Sequence, residues 1–277
     1  MLLKKENGRI ITLDSMERKN PYEKGTGSNG KLYVKKESVC SDILHVSEGN
    51  SKTGPCWNFN LSVEYTCDRR CECYMEGLCY AEQGCYMFAD NQAQYSENYN
   101  FYVNSKSSEF IAALQVVIDS NPSIKLFRYF TCGDIPDIRF VKCMVQLAKN
   151  NPDVKFWSYT KKYSIINHYL DDNEPLPENL VIIFSHWQNR DKTFFPMDNP
   201  HNLPTSEFIP VGQEERKAAV THVCPCSDPS VNATCKTCDH PCYTLKPGES
   251  MALLEHSTKE TKQRDKEIKA AKKALKK

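Results

Sequence analysis

Long apolar runs are missing from this 277-residue sequence: none approaches 18 residues, so no transmembrane helix is expected. Met1–Leu13 reads MLLKKENGRIITL and has no apolar core ahead of a small-residue cleavage site, so no secretory signal is expected either. Charge of one sign is also lacking. Lys plus Arg number 36 against 35 Asp plus Glu, a net charge of +1, which argues against a uniformly basic nucleic-acid binder. The familiar catalytic signatures are missing too. No Gly-x-Ser-x-Gly, Walker-type loop, His-Glu-x-x-His or dinucleotide fingerprint occurs, so hydrolase, nucleotide-triphosphatase and dehydrogenase readings have no positive signal. The expectation is a soluble, cytoplasmic protein.

What is present is cysteine, 14 of them, in a chain whose 40% hydrophobic content suffices for a real core. Six lie between Cys56 and Cys85 and five between Cys224 and Cys242, with Cys40, Cys132 and Cys143 apart. Clumped thiols without an export signal point to metal ligation before disulfides. The alternative is a secreted disulfide protein.

Four regions are expected. Residues 1–55 mix charge with Gly, Ser and Asn and read as an irregular arm. Residues 56–222 read as an α/β core. Trp57, Phe59, Leu61 and Val63 alternate as a strand, and Phe110–Ile118 has helical spacing behind Ser107 or Ser108 as cap. Short apolar runs at Ile124–Phe130, Val154–Tyr159 and Leu180–Phe184 alternate with helical patterns at Ile138–Ala148 and Ser164–Leu170. A further strand is expected near Phe208–Val211. This grammar predicts a partial βα barrel or an open parallel sheet, with a cysteine-rich C-terminal metal-binding region at 223–257. Residues 258–277 form a basic, partly helical tail. It carries +6, which leaves −5 for residues 1–257, and a solvated face or a nucleic-acid contact are its two readings.

Polar groups follow each run: Thr131-Cys132-Gly133-Asp134, Ser158-Tyr159-Thr160-Lys161-Lys162 and Ser185-His186-Trp187-Gln188. The carboxyl ends of parallel strands are where α/β proteins place their sites. Asp134, Tyr159 and Ser185 are therefore the candidate catalytic groups. Asp134 could hold an amine or a metal-bound water, or cap the helix after Pro136. Lys161 is a candidate for an anionic group, and His186 for an acid, base or ligand.

In the second cysteine group, Cys224, Cys235, Cys238 and Cys242 are read as a closed four-thiolate site with Cys226 as a spare. Iron–sulfur and zinc both suit it. The first group runs Cys67-x3-Cys71-x1-Cys73-x5-Cys79-x5-Cys85. Cys67, Cys71 and Cys79 form the preferred triplet. Cys73 is expected to crowd Cys71 and stay outside, although Cys56, Cys73 or Cys85 could close the site as a fourth ligand.

A cysteine loop after the first strand and Gly133-Asp134 after the second resemble the radical S-adenosylmethionine enzymes. That superfamily holds a cluster with one open iron on three cysteines and contacts the methionine amino group through a Gly-Gly-Glu-like motif. The resemblance implies one or two 4Fe-4S clusters, and S-adenosylmethionine at Gly133 and Asp134. The spacing here departs from CxxxCxxC, and Asp134 stands for the longer acid. A closer resemblance is to the gene product 88 domain family of phages and mobile elements. It is carried by Trp57–Ala81, RYFTCGDI at 128–135, FWSYTKK at 156–162, VIIFSHW at 181–187 and Cys224–His256. It implies a phage origin, hence the host cytoplasm, and a shared cysteine-rich core; it brings no reaction. Two functions are therefore carried forward. One is an iron–sulfur, radical-type enzyme acting on an unread substrate. The other is a zinc- or cluster-stabilised module that binds nucleic acid or a protein partner.

Overall fold

A computed structural model describes the backbone of three N-terminal strands, β1 (Leu3–Glu6), β2 (Arg9–Thr12) and β3 (Leu32–Lys36), together with residues 42–49, 53–75, 77–186, 196–228, 231 and 233–255. The basic tail at 258–277 and Trp187-Gln188 lie outside the described residues. With β4 (Asp42–Val46), the first three strands make a four-stranded sheet in the order β1-β2-β3-β4. The segment expected to be an irregular arm thus supplies strands, and Leu44 and Val46 of β4 enter the main core.

The larger sheet has seven strands, all parallel. They are β5 (Cys56–Phe59), β6 (Leu126–Tyr129), β7 (Lys155–Thr160), β8 (Leu180–His186), β9 (Thr205–Ile209), β10 (His222–Val223) and β11 (Ser250–Leu254). Their order is β10-β11-β9-β8-β7-β6-β5, so the first five follow one another in sequence. When parallel strands step one way, right-handed crossovers put every helix on the same face. Accordingly α4 (Ser107–Asp119) packs on α5 (Ile138–Asn150), and α5 on α6 (Tyr163–Asp172). That face buries Phe59, Phe127, Tyr129, Phe156, Ile182 and Phe184.

Strand alternation sends the other residues to the opposite face, where Cys56, Leu126, Trp157, Tyr159, Val181 and Ile183 meet Cys224, Cys242, Tyr243, Leu245 and Met251. The sheet is open, not a barrel. The face that closure would turn inward is covered by the C-terminal segment instead.

Local starts differ from the sequence reading in instructive ways. The first strand ends at Phe59, because Ser62 caps a short helix, α1 (Val63–Thr66), by accepting the Glu64 N–H. Helix α4 begins behind Lys106, whose N–H donates to Glu109, rather than behind Ser107 or Ser108. Asp137 caps α5 by accepting the Phe140 N–H, so the capping role considered for Asp134 belongs three residues later. A 16-residue helix, α3 (Ala89–Asn104), has no counterpart in the apolar periodicity; only Asn98, Phe101 and Tyr102 of it are buried.

Candidate functional site

The loops after β5, β6, β7 and β8 are sewn together at the carboxyl edge of the sheet. Asn60, just past β5, accepts three hydrogen bonds at Oδ1: from Thr131 N–H (2.7 Å), Thr131 Oγ1 (2.8 Å) and Cys132 N–H (3.0 Å). Gly133 then turns with φ +87° against the Leu61 carbonyl. Thr66 Oγ1 accepts the Asp134 N–H at 3.0 Å, tying the cysteine loop to the loop after β6.

Asp134 is buried, and its carboxylate is engaged by the protein. Thr160 Oγ1 (2.6 Å) and the Ile135 N–H (2.7 Å) donate to Oδ1, and the Lys161 N–H (3.0 Å) donates to Oδ2. Burial pushes its pKa up, opposed by these three donors. The Lys161 ammonium donates to Ser185 Oγ at 2.9 Å, and Tyr163 Oη donates to the Ser185 carbonyl at 2.5 Å. Asp134, Lys161 and Ser185 therefore do meet, as a bonded chain across three strand ends.

Tyr159 does not join them. Alternation turns it to the opposite face, where its hydroxyl donates to Cys242 Sγ at 2.7 Å and its ring lies 5.2 Å from the Arg128 guanidinium. His186 is half-buried and has its pKa lowered by that burial.

The first cysteine group gathers beside Lys161. Cys67 ends α1, Cys71 precedes the turn α2 (Glu72–Met75), which holds Cys73, and Cys79 precedes the 3₁₀ turn Tyr80–Glu82. Cys71 Sγ and Cys73 Sγ are 3.2 Å apart. Cys73 is thus the centre of the group, not its outsider. Close spacing on one turn brings the sulfurs together rather than forcing one away. Interaction with the neighbouring Cys71 and Cys79 thiols holds the Cys73 pKa below its ordinary value, with the Lys161 ammonium assisting. The same interaction and burial push Cys71 and Cys79 up. Cys67 is raised to about 12 by burial and by the Asp134 charge. Burial disfavours the Lys161 ammonium, yet the Cys73 thiolate keeps its pKa above the ordinary value. Cys85 is exposed and stands outside the group.

The second group lies on the C-terminal cover of the sheet. The Cys224 N–H donates to the Ala252 carbonyl at 2.8 Å, and Cys226 hydrogen-bonds Cys235. Burial pushes Cys238 and Cys242 up, opposed by hydrogen bonds from the His240 backbone and the Tyr159 hydroxyl and reinforced by the charges of Cys224 and Cys235. Cys56, from β5, belongs here: it packs with Cys224 and Cys242, and burial raises it to about 12. Among the described residues, no group of three or more His, Cys, Asp or Glu side chains stands ready to hold a metal ion as placed. Within the first group, Cys71 and Cys73 contact each other.

Residues 23–197 match the Gene product 88 family. The chain belongs to that family. The match spans the first cysteine group and the Asp134–Lys161–Ser185 chain and stops before Cys224, so the second group lies beyond it. No curated protein and no solved structure matches the chain. Among the described residues no helix is long and apolar enough to cross a membrane.

Sequence reasoning missed Asn60, Arg128 and the placement of Cys56. Alternation along β5 and β6 could have found two of them, because it puts Cys56 and Arg128 on the face opposite Phe59 and Tyr129. Tyr159→Phe removes one O–H···S bond and no apolar contact. It is expected to lower stability by about 1 kcal/mol in chemical denaturation and to leave the first cysteine group unchanged.

Proposed function

We propose that this protein is a metal-thiolate module whose first centre is held by Cys67, Cys71, Cys73 and Cys79. The observation that carries this reading is the 3.2 Å separation of the Cys71 and Cys73 sulfurs. Four thiolates about one zinc at about 2.3 Å stand about 3.8 Å from one another, close to that separation. A 4Fe-4S cluster attaches each thiolate to a different iron and spreads them farther apart. Zinc is therefore the preferred ion. Bound there, it would neutralise thiolate charge and clamp the loop after β5 to the loops bearing Asp134 and Lys161. Lys161 would offset the remaining negative charge, and Ser185 would orient Lys161. The second centre would draw on Cys224, Cys235, Cys238 and Cys242. On this reading the metal builds a rigid edge for binding nucleic acid or a protein partner, in a phage-encoded protein of the host cytoplasm.

A radical S-adenosylmethionine-like iron–sulfur enzyme is the second reading. It is favoured by five parallel strands in sequence order with the thiol loop after the first. Against it stand the fourth thiol and the three internal donors on the Asp134 carboxylate, which compete with a substrate amine. Anaerobic purification followed by zinc, iron and acid-labile sulfide analysis separates the two. The module reading predicts a colourless protein with about one or two zinc ions per chain. A brown protein with iron and sulfide that releases 5′-deoxyadenosine from S-adenosylmethionine on reduction would replace it with the second.

A further inference from the structure

Six of the eight large apolar side chains that stand exposed among the described residues lie on one stretch, the cysteine loop and the turns after it. They are Tyr65, Tyr74, Met75, Tyr80, Met87 and Phe88, with Met75 65% and Phe88 64% exposed. Apolar side chains scattered singly over a surface need no explanation, whereas a concentration of them marks a contact surface. The stretch is knit together. Arg69 pairs with Glu82 across it, Gln83 Nε2 donates to the Gly77 carbonyl at 3.4 Å, and the Tyr80 and Tyr86 rings meet edge to face at 5.6 Å.

Its charge says what fits there. Residues 63–90 hold six acidic residues against two arginines, a net charge of −4. Asp68 and Glu82 are taken by Arg70 and Arg69, while Glu64 and Asp90 are exposed. Acids interleaved with tyrosines repel a phosphate backbone and suit ammonium groups, which pair with carboxylates and lie over ring faces. Arg69 already sits in this way, 4.5 Å over the Tyr74 ring.

We propose that the chain's own basic tail, residues 258–277, docks on this surface. The tail carries nine basic and three acidic residues, and Ile268, Ala271 and Leu275 recur at helical spacing to meet exposed apolar side chains. Its root is on the correct edge. All seven strands are parallel, so β11 delivers the chain at the same carboxyl edge where β5 delivers the cysteine loop. Glu255 is fixed there, its N–H donating to the Ile209 carbonyl at 2.8 Å. The cysteine loop is tied to the end of β7 through Thr66, Asp134 and Thr160, and β7 stands three strands from β11, about 14 Å away. From Leu254 to the first basic residue, Lys259, an extended chain spans about 17 Å, and a helix of the tail's length adds about 30 Å. The contact does not depend on the metal reading, because none of the six exposed side chains is a thiol.

The test uses the full chain. Zero-length carbodiimide coupling joins lysines to the carboxylates they touch, and mass spectrometry maps the links. Links from the tail lysines are expected to concentrate on the acids of residues 64–90, to stay within one chain when labelled and unlabelled protein are mixed, and to fall at least about threefold in high salt. Met75→Ser combined with Phe88→Ser keeps every lysine and acid in place, and is expected to cut the same links at least about threefold by removing apolar contact area. Lys266→Glu, Lys269→Glu, Lys272→Glu and Lys273→Glu together are expected to speed amide hydrogen exchange over residues 80–90 at least about threefold. Circular dichroism reports folding; should the double serine variant fail to fold, the four reversals decide. Links spread evenly over other exposed acids such as Asp153 and Glu178, links found only between copies, or exchange unchanged by the reversals would overturn the proposal.

Discussion

Cys73→Ser is expected to lower the stability of the protein by about 1–3 kcal/mol, the cost of leaving a buried hydrogen-bonding group unpaired. The Cys73 sulfur lies 3.2 Å from Cys71 Sγ, and its negative charge when ionised holds the Lys161 pKa above the ordinary value. A serine oxygen is smaller than sulfur and falls short of Cys71, while Lys161 keeps its bond to Ser185. Any metal held by the thiols adds to the loss, since its binding energy is folding energy. Denaturant titration reads the stability, and limited proteolysis reads release of the loop between Cys67 and Cys85. Cys85→Ser is the internal control: that thiol is exposed, and its removal is expected to change neither. Equal effects of the two substitutions would contradict the placement of Cys73 at the centre of the group.

Gly133→Ala is expected to cost about 3 kcal/mol. A left-handed backbone conformation disfavours an L side chain by about 1–2 kcal/mol, and overpacking adds about 1–3 kcal/mol. Here φ is +87°, and an added methyl carbon would stand 2.4 Å from the Leu61 carbonyl oxygen. That oxygen is backbone in a tight place. Leu61 donates its own N–H to the Cys132 carbonyl, and Asn60 beside it holds three donors from the same loop. Relief by displacement would therefore pull Asp134 away from Thr160 and Lys161. Thermal unfolding reads the loss; a melting temperature unchanged from the parent would show that the two loops are not held together in this way.

The parallel sheet was legible because its strands are short apolar runs introduced by Asn121-Pro122 and Asn151-Pro152 and separated by amphipathic helices. Strand β7 shows where legibility ended. The run was found, but alternation within it divides its polar end: Thr160 reaches Asp134 while Tyr159 reaches Cys242 on the other face. Reading the end of the strand as one polar loop merged two environments. Helix α3 escaped notice because a helix lying over an edge with few buried residues carries little apolar period. The expected exclusion of Cys73 rested on crowding between near neighbours in sequence. A one-residue gap on a helical turn brings the two thiols within hydrogen-bond reach, 3.2 Å apart. Alternation gives the face of Cys56, but its contact with Cys224 and Cys242 depends on pairing between distant segments, which spacing does not encode.

The central claim is that Cys67, Cys71, Cys73 and Cys79 form one metal-thiolate centre. X-ray absorption at the zinc edge, on anaerobically purified protein with the second group replaced by serine at Cys224, Cys235, Cys238 and Cys242, tests it most directly. The predicted spectrum has four sulfur neighbours at about 2.3 Å, reduced to three when Cys73→Ser is added. A zinc-free protein, or a spectrum showing iron neighbours and bridging sulfide, would contradict it.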